Sequence, residues 1–358
     1  MTEAVPGPRL APMFSRTLLA VDGNSLLHRS FHASARSGFH TSDGRPMWAV
    51  RGLLSQLSAA VDRVCADAVV VGFDDPAASV RRERWPSYKG HRDAKPATLE
   101  DQLAAAADVL RDLGLVVAVP AGLEADDVLA SAAAYARSVG ARTVLATSDR
   151  DSFSLIDDNT KVLRILNGGV DASPLLDPDR LAMVTGVRPE QYRDLAALRG
   201  DASDNLPGVP GIGPKTAARL LAELGSARAA FDDAAAGGTR CRAVLGSALT
   251  RTLAGAEARE IWEHNCAVMT MVADAPLGLD LDHGVGCLPL TAGAVTATFR
   301  RLELHVPSAV RALTGKEPSV PRAVDVDASW RPSTRRASMR HPRLPSKPRP
   351  AYVQETLF

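Results

Sequence analysis

Eight aspartates and one glutamate, Asp22, Asp74, Glu124, Asp126, Asp127, Asp149, Asp151, Asp201 and Asp204, are spread over about 180 residues of the chain. They stand at the ends of apolar runs or at spacings that a helix could bring together. Gathered without a counter-charge, so many carboxylates would repel one another. Gathered around divalent cations they become a site, because hard oxygen donors suit Mg²⁺ or Mn²⁺, which take few carboxylates and keep several waters. Two such ions about 3.5–4 Å apart clamp the attacking and leaving oxygens of a phosphodiester displacement. The chemistry open to these residues is metal-dependent phosphodiester hydrolysis.

The spacings differ in what they say. Acids at a helix start are favoured by the helix dipole, and this bland reading accounts for one or two of Glu124, Asp126 and Asp127, which precede the apolar Val128-Leu129. It does not account for Asp149 and Asp151 just beyond an apolar run. Nor does it account for Asp201 and Asp204, whose i, i+3 spacing predicts one face of a helix.

Positioning these acids falls to an alternation of strands and helices. Residues 16–22 (RTLLAVD) and 68–74 (AVVVGFD) are short apolar runs that end in Asp and predict buried strands, as do 116–119, 143–147 and 162–166. Helices are expected after Asp22 through His28 and Phe31, and over 49–64, 100–113 and 126–137; the second carries Val50, Leu53, Leu54, Leu57, Val61 and Val64 on one face. This order predicts an α/β fold with a mostly parallel, doubly wound sheet. In such sheets ligands gather outside the carboxyl ends of the strands, where Asp22, Asp74 and Asp149 fall. Residues 178–315 read as helical without clear strands.

Two further segments carry charge and turn chemistry. In 208–217 (GVPGIGPKTA), Gly208, Gly211 and Gly213 let backbone approach a partner closely, and the amides at the following helix start, with Lys215 and Thr216, face outward. That is the physics of a helix-hairpin-helix gripping a DNA phosphate without reading bases. Such a carbonyl-lined turn could also hold K⁺; the plain alternative is an interhelical glycine turn. In 81–95, Arg81, Tyr88, Lys89 and Arg92 interleave stacking surface with phosphate-binding charge, which suits single-stranded nucleic acid. An ordinary solvated basic loop explains the same residues equally well.

Composition bounds the rest. The 358 residues are 46% hydrophobic and carry a formal net charge of +1, so binding to a polyanion must come from a local basic patch. Cys65, Cys241, Cys266 and Cys287 form no CxxC pair, which argues against structural zinc and a disulfide framework. No apolar run approaches membrane-spanning length and the first residues lack a signal-like core, which predicts a cytoplasmic protein, expected as a monomer. Residues 1–15 are expected to be a disordered extension. Residues 316–358, rich in Arg and Pro, predict a disordered basic tail. Its last five residues place Gln354 three positions before Leu357-Phe358.

The blocks LLAVDGNSLLHRSFHA, VVGFDDPAASVRRERWPSYKGHR, LEADDVLAS, LATSDRDSFSLI and GDASDNLPGVPGIGPKTAARLL together resemble the bacterial 5′–3′ exonucleases, free-standing or fused to the front of DNA polymerase I. The match runs in order over roughly residues 17–310. It implies a PIN-like 5′-nuclease core over 16–177 and an all-helical region with a helix-hairpin-helix at about 201–224. It also implies that all nine acids are metal positions. Asp22, Asp74, Glu124 and Asp126 would serve one ion, and Asp149, Asp151 and Asp204 the other. Lys89 and Arg92 would act on the scissile phosphate; Arg29, Arg81 and Tyr88 would contact DNA. The implied substrates are a 5′ flap or a 5′ end beside duplex, and RNA primer–DNA hybrid. No polymerase domain follows in this chain, and the final peptide looks like one that docks the bacterial sliding clamp. A DNA-junction binder with weak catalysis and a PIN-like ribonuclease remain the alternatives.

Overall fold

The computed structural model describes residues 16–35 and 38–315. Its first half alternates β1 (Thr17–Asp22), α1 (Gly23–Ser34), α2 (Trp48–Val64), β2 (Ala68–Gly72), α3 (Val80–Arg84), α4 (Ala97–Asp112), β3 (Val116–Ala118), α5 (Ala125–Ser138), β4 (Arg142–Thr147), β5 (Thr160–Arg164) and the short β6 (Leu175–Leu176). The strands form one sheet of order β3-β2-β1-β4-β5-β6, parallel except for the antiparallel β5–β6 pair. The expected doubly wound, mostly parallel sheet is therefore present. Its order reverses between β1 and β4, the crevice where such sheets bind ligands.

Strand periodicity decides what reaches that crevice. Leu18 and Ala20 of β1 and Leu145 of β4 enter one core cluster; Leu19, Val21, Val144 and Ala146 enter the other. By the same alternation, Asp22 and Thr147, which close β1 and β4, belong with the first set, on the face covered by α5. The helix sits close: a Cβ added to Gly72 at the end of β2 would lie 2.7 Å from Val128 of α5. Acids from three strand ends and one helix start thus meet at one place.

The second half is helical: α6 (Pro178–Thr185), α7 (Pro189–Arg199), α8 (Pro214–Leu224), α9 (Ala227–Ala235), α10 (Thr239–Ala254, kinked at Gly246), α11 (Ala256–Val268), α12 (Ala292–Arg301) and α13 (Pro307–Leu313). Leu195, Leu198, Leu220, Leu221, Phe231 and Trp262 of this half share the core cluster of α5 and the sheet. The region expected as one piece over 178–315 divides. Val295, Phe299, Ala309 and Leu313 of α12 and α13 return to the opposite sheet face, packing with α2 and α4. The Thr298 hydroxyl donates to the Asp112 carbonyl at the end of α4, fixing that return.

The segment 81–95 departs from expectation. It does not read as core, yet Arg81 and Tyr88 are 9% and 4% exposed. Tyr88 packs with Leu206 and Val268, against which Trp85 and Met269 also lie. Three further bonds pin it to the 201–206 turn: the Lys89 amide donates to the Asp204 carbonyl, Asn205 Nδ2 to Ser87 and Arg92 Nε to Ser203. The expected N-terminal extension, the basic tail and Gln354, Leu357 and Phe358 lie outside the described residues.

Candidate metal centre

Asp22 is fixed through both oxygens. Oδ1 accepts the Ser25 amide at the start of α1, and Oδ2 accepts the Thr147 hydroxyl at 2.7 Å. Asp74, two residues beyond β2, accepts from Asn24 Nδ2 (2.8 Å) and from the Ala125 amide at the first turn of α5 (3.0 Å). Asp149 accepts the Asp151 amide, and its own amide donates to the Thr147 hydroxyl. Sequence reasoning missed Asn24, Ser25 and Thr147; the signal for them is that each lies within three residues of a candidate acid.

Burial and mutual repulsion dominate the electrostatics. Asp22 is pushed up to about 7 by burial, with Asp74 and Asp149 adding to it against the Ser25 and Thr147 hydrogen bonds. Asp151 is pushed up to about 8 by burial and then by Asp149, Asp204 and Asp201. Asp126 is raised by burial and by Asp149, Asp22 and Asp151, with Lys89 opposing. Asp22, Asp126, Asp149 and Asp151 therefore lie within one another's field. Oδ1 of Asp126 and Oδ1 of Asp151 are buried and accept no hydrogen bond. Buried carboxylate oxygens without a partner are costly, and a cation satisfies them. Among the described residues, no three such side chains already close around a point that could hold an ion. Basic side chains instead hold Glu124, Asp127 and Asp204.

Those basic residues redistribute the expected roles. Arg81, expected at DNA, is buried in a bidentate pair with Asp127 (2.6 and 2.7 Å) and also reaches Glu124, Val268 and Thr270. Asp127 is fully buried; besides Arg81 its oxygens accept the Glu124 and Val272 amides, the first closing a capping box on α5. Its oxygens are thus committed to the fold, unlike those of Asp126 one residue earlier. The Tyr88 hydroxyl donates to Glu124 at 3.0 Å, and burial holds the phenol well above its ordinary value. Lys89 Nζ lies 3.2 Å from Glu124, and Arg92 lies 2.5 Å from Asp204. Burial opposes the charge on Lys89, but Glu124, Asp204 and Asp126 outweigh it, so the ammonium is retained.

Asp201 and Asp204 do not share a helix face. Asp201 caps the 3-10 turn Ala202–Asp204, accepting the Ser203 amide and hydroxyl, and its other oxygen lies 3.6 Å from Arg199. Asp204 is the buried one of the two, and burial raises it. Gly200 (φ +76) and Asn205 (φ +59) break the helix here by taking left-handed backbone. Arg29, on α1, donates to Asn167.

The glycine turn lies between α7 and α8. A Cβ on Gly208 would stand 2.1 Å from the Arg199 carbonyl, so this glycine serves the close crossing of the 199–200 and 208 backbones. Gly211 has φ +79, whereas a Cβ on Gly213, the residue preceding α8, meets nothing within 4 Å. Lys215 is exposed and Thr216 half-exposed at the same helix start. No described helix is long and apolar enough to cross a membrane.

Residues 17–183 match the 5'-3' exonuclease N-terminal resolvase-like domain, and residues 187–287 the 5'-3' exonuclease C-terminal SAM fold. DNA polymerase I of Mycobacterium bovis is 36% identical over 261 residues, 73% of this chain and 28% of that one. The thermostable DNA polymerase I of Thermus aquaticus is 42% identical over 212 residues, 59% of this chain and 24% of that one. The chain thus spans about a quarter of the length of these relatives. Among solved structures, a bacteriophage T5 5'-exonuclease with bound zinc shares the fold at TM-score 0.57 and 19% identity, covering 84% of this chain and 97% of that one. Human GEN1 in complex with Holliday junction DNA does so at TM-score 0.52 and 14% identity, covering 83% and 71%. With both domains matched in order, and acids gathered at the carboxyl ends of the strands in the first, this chain belongs to the 5'-3' exonuclease family.

Proposed function

We propose that this chain is a structure-selective 5′–3′ exonuclease and 5′-flap endonuclease that hydrolyses phosphodiesters with two divalent cations, Mg²⁺ or Mn²⁺, in primer removal and repair. The observation that carries this reading is the pair of partnerless buried oxygens on Asp126 and Asp151 within a group of acids that raise one another's proton affinity. Asp22, Asp74, Glu124 and Asp126 would hold one ion, and Asp149, Asp151 and Asp204 the other, with Asp201 behind them. Asp127 is assigned instead to holding Arg81. When bound, the ions would activate the attacking water and neutralise charge on the leaving oxygen.

The protein's own part is to bring the phosphate in and hold it. Lys89 and Arg92 are donors only and now rest on Glu124 and Asp204. Ions arriving at these acids would release both side chains toward the scissile phosphate. The helix start at Gly213, Lys215 and Thr216 offers backbone amides and a cation to a duplex phosphate some distance from the chemistry. K⁺ could seat on the carbonyls of that turn. Residues 354–358, at the end of a basic segment, suit the sliding clamp: Leu357 and Phe358 would fill an apolar pocket, with Gln354 hydrogen-bonding at its rim. Such a tether would raise the local concentration of the nuclease at primer junctions.

A labelled 5′-flap duplex, incubated with and without Mg²⁺ beside single-stranded RNA, tests the reading. Metal-dependent cleavage near the flap junction is expected. Equal cleavage of the RNA, or no metal-dependent product, would overturn it.

A further inference from the structure

We infer that Thr147 is a positioning residue that sets the spacing between the two ion subsites, an inference that rests on the proposed metal-dependent activity. Its hydroxyl proton points at Asp22 Oδ2 (2.7 Å), and its lone pair takes the Asp149 amide (3.0 Å). From Asp149 the line continues, because its Oδ1 accepts the Asp151 amide at 3.0 Å. One hydroxyl therefore ties the acid that closes β1 to the two acids that follow β4. Asp22 belongs to one proposed ion subsite and Asp149 and Asp151 to the other. Thr147 closes β4 and is fully buried, so its side chain has no freedom to let these distances drift.

Burial alone does not explain the two bonds. Thr143, on the same strand, and Thr160, paired with it on β5, are equally buried, and their hydroxyls have no hydrogen-bond partner. The sheet tolerates an idle hydroxyl at both places, while at Thr147 the donor and acceptor are both used and both lead to acids. Hydrogen-bonding residues behind metal ligands typically change metal affinity about 10–100-fold when removed.

The test compares Thr147→Val, Thr147→Ser and Thr143→Val by Mn²⁺ titration followed by electron paramagnetic resonance without DNA. The half-saturating Mg²⁺ for flap cleavage and flap affinity in EDTA are measured in parallel. Thr147→Val keeps the branched shape and should weaken Mn²⁺ binding and raise the half-saturating Mg²⁺ about tenfold or more. Its flap affinity in EDTA should equal the parent's. Thr147→Ser retains the hydroxyl and should stay within about twofold, and Thr143→Val should match the parent. Parental Mn²⁺ affinity in Thr147→Val would overturn the inference, as would a loss in Thr147→Ser as large as in the valine variant. Failure of the parent chain to bind Mn²⁺ would instead overturn the metal-centre reading on which this inference stands.

Discussion

Replacing Arg81 with methionine should cost the protein stability rather than DNA affinity. Arg81 makes two bonds of 2.6 and 2.7 Å to Asp127, one of 3.3 Å to Glu124 and two to the carbonyls of Val268 and Thr270. Asp127 is wholly out of water, so the variant leaves a buried carboxylate with only amide donors. Breaking a buried pair from one side costs about 3–5 kcal/mol. With about 2.1 cal/mol/K per residue for unfolding, and about 300 described residues melting together, that loss corresponds to a melting temperature lower by about 5–8 °C. Arg82, next along the same short helix and exposed, supplies the control: Arg82→Ala should stay within about 0.5 kcal/mol. Adding Asp127→Leu to Arg81→Met should recover part of the loss but not all, because Asp127 also satisfies the Glu124 and Val272 amides. Calorimetry reads stability, and flap binding in EDTA over a salt series reads affinity. Parental melting in Arg81→Met, with weaker binding and a salt slope shallower by about one, would show that Arg81 contacts phosphate and that the buried pair is not what holds it.

The raised acids give a second expectation. Asp22 (about 7), Asp151 (about 8) and the raised Asp126 and Asp204 bind protons in the folded chain at pH values where the unfolded chain has lost them. Without divalent ions, stability should therefore fall as pH rises between about 5 and about 8, and millimolar Mg²⁺ should flatten the fall. A metal-free melting temperature that rises across this window would refute the assignment. Gly208→Ala should destabilise the chain through its clash with the Arg199 carbonyl, whereas Gly213→Ala should leave melting unchanged; equal melting of the two variants would refute the crossing argument. Lys215→Ala should weaken duplex and flap binding alike and reduce the salt slope by about one, while Lys89→Ala should mainly lower turnover. The same pure binding defect in both would remove Lys89 from the reacting phosphate. A peptide of residues 350–358 should bind the cognate sliding clamp at micromolar strength and lose binding when Leu357 and Phe358 become alanine; equal binding by both peptides, or by neither, would remove the clamp from the proposal.

What could be read in the sequence, and what could not, follows the reach of the interactions. Short apolar runs ending in Asp mark β1 and the stretch from β2 to Asp74, because strand propensity and burial act within five or six residues. The placement of Asp22 and Asp74 at strand ends was legible for that reason, as was the mostly parallel character of the sheet. The roles within 81–95 were not. Four cationic or aromatic side chains in a polar stretch look solvated until their partners are known, and Glu124, Asp127 and Asp204 lie 35–112 residues away. The i, i+3 spacing of Asp201 and Asp204 misled for a local reason: Gly200 and Asn205 take left-handed backbone on either side, and Ser203 invites Asp201 to cap a tight turn. β6, only two residues long, offers no period to detect, and the return of α12 and α13 depends on a contact with α4 about 190 residues earlier.

The same distinction separates acids that serve the fold from acids free for chemistry. Asp126 and Asp127 are adjacent and chemically identical, so no local rule divides them. The helix does, because successive residues point about 100° apart around its axis. Asp127 turns inward to Arg81 and the amide of Glu124, where every bond it makes stabilises folding. Asp126 turns toward Asp22, Asp149 and Asp151, where the folded chain offers one oxygen no donor and surrounds it with like charge. A protein under selection for stability alone has no reason to keep that oxygen bare. Asp126→Asn should therefore stabilise the metal-free chain while removing cleavage, whereas Asp127→Asn should destabilise it. Melting and flap cleavage measured on the two variants decide the matter, and destabilisation by both would mean that Asp126, too, is a structural acid.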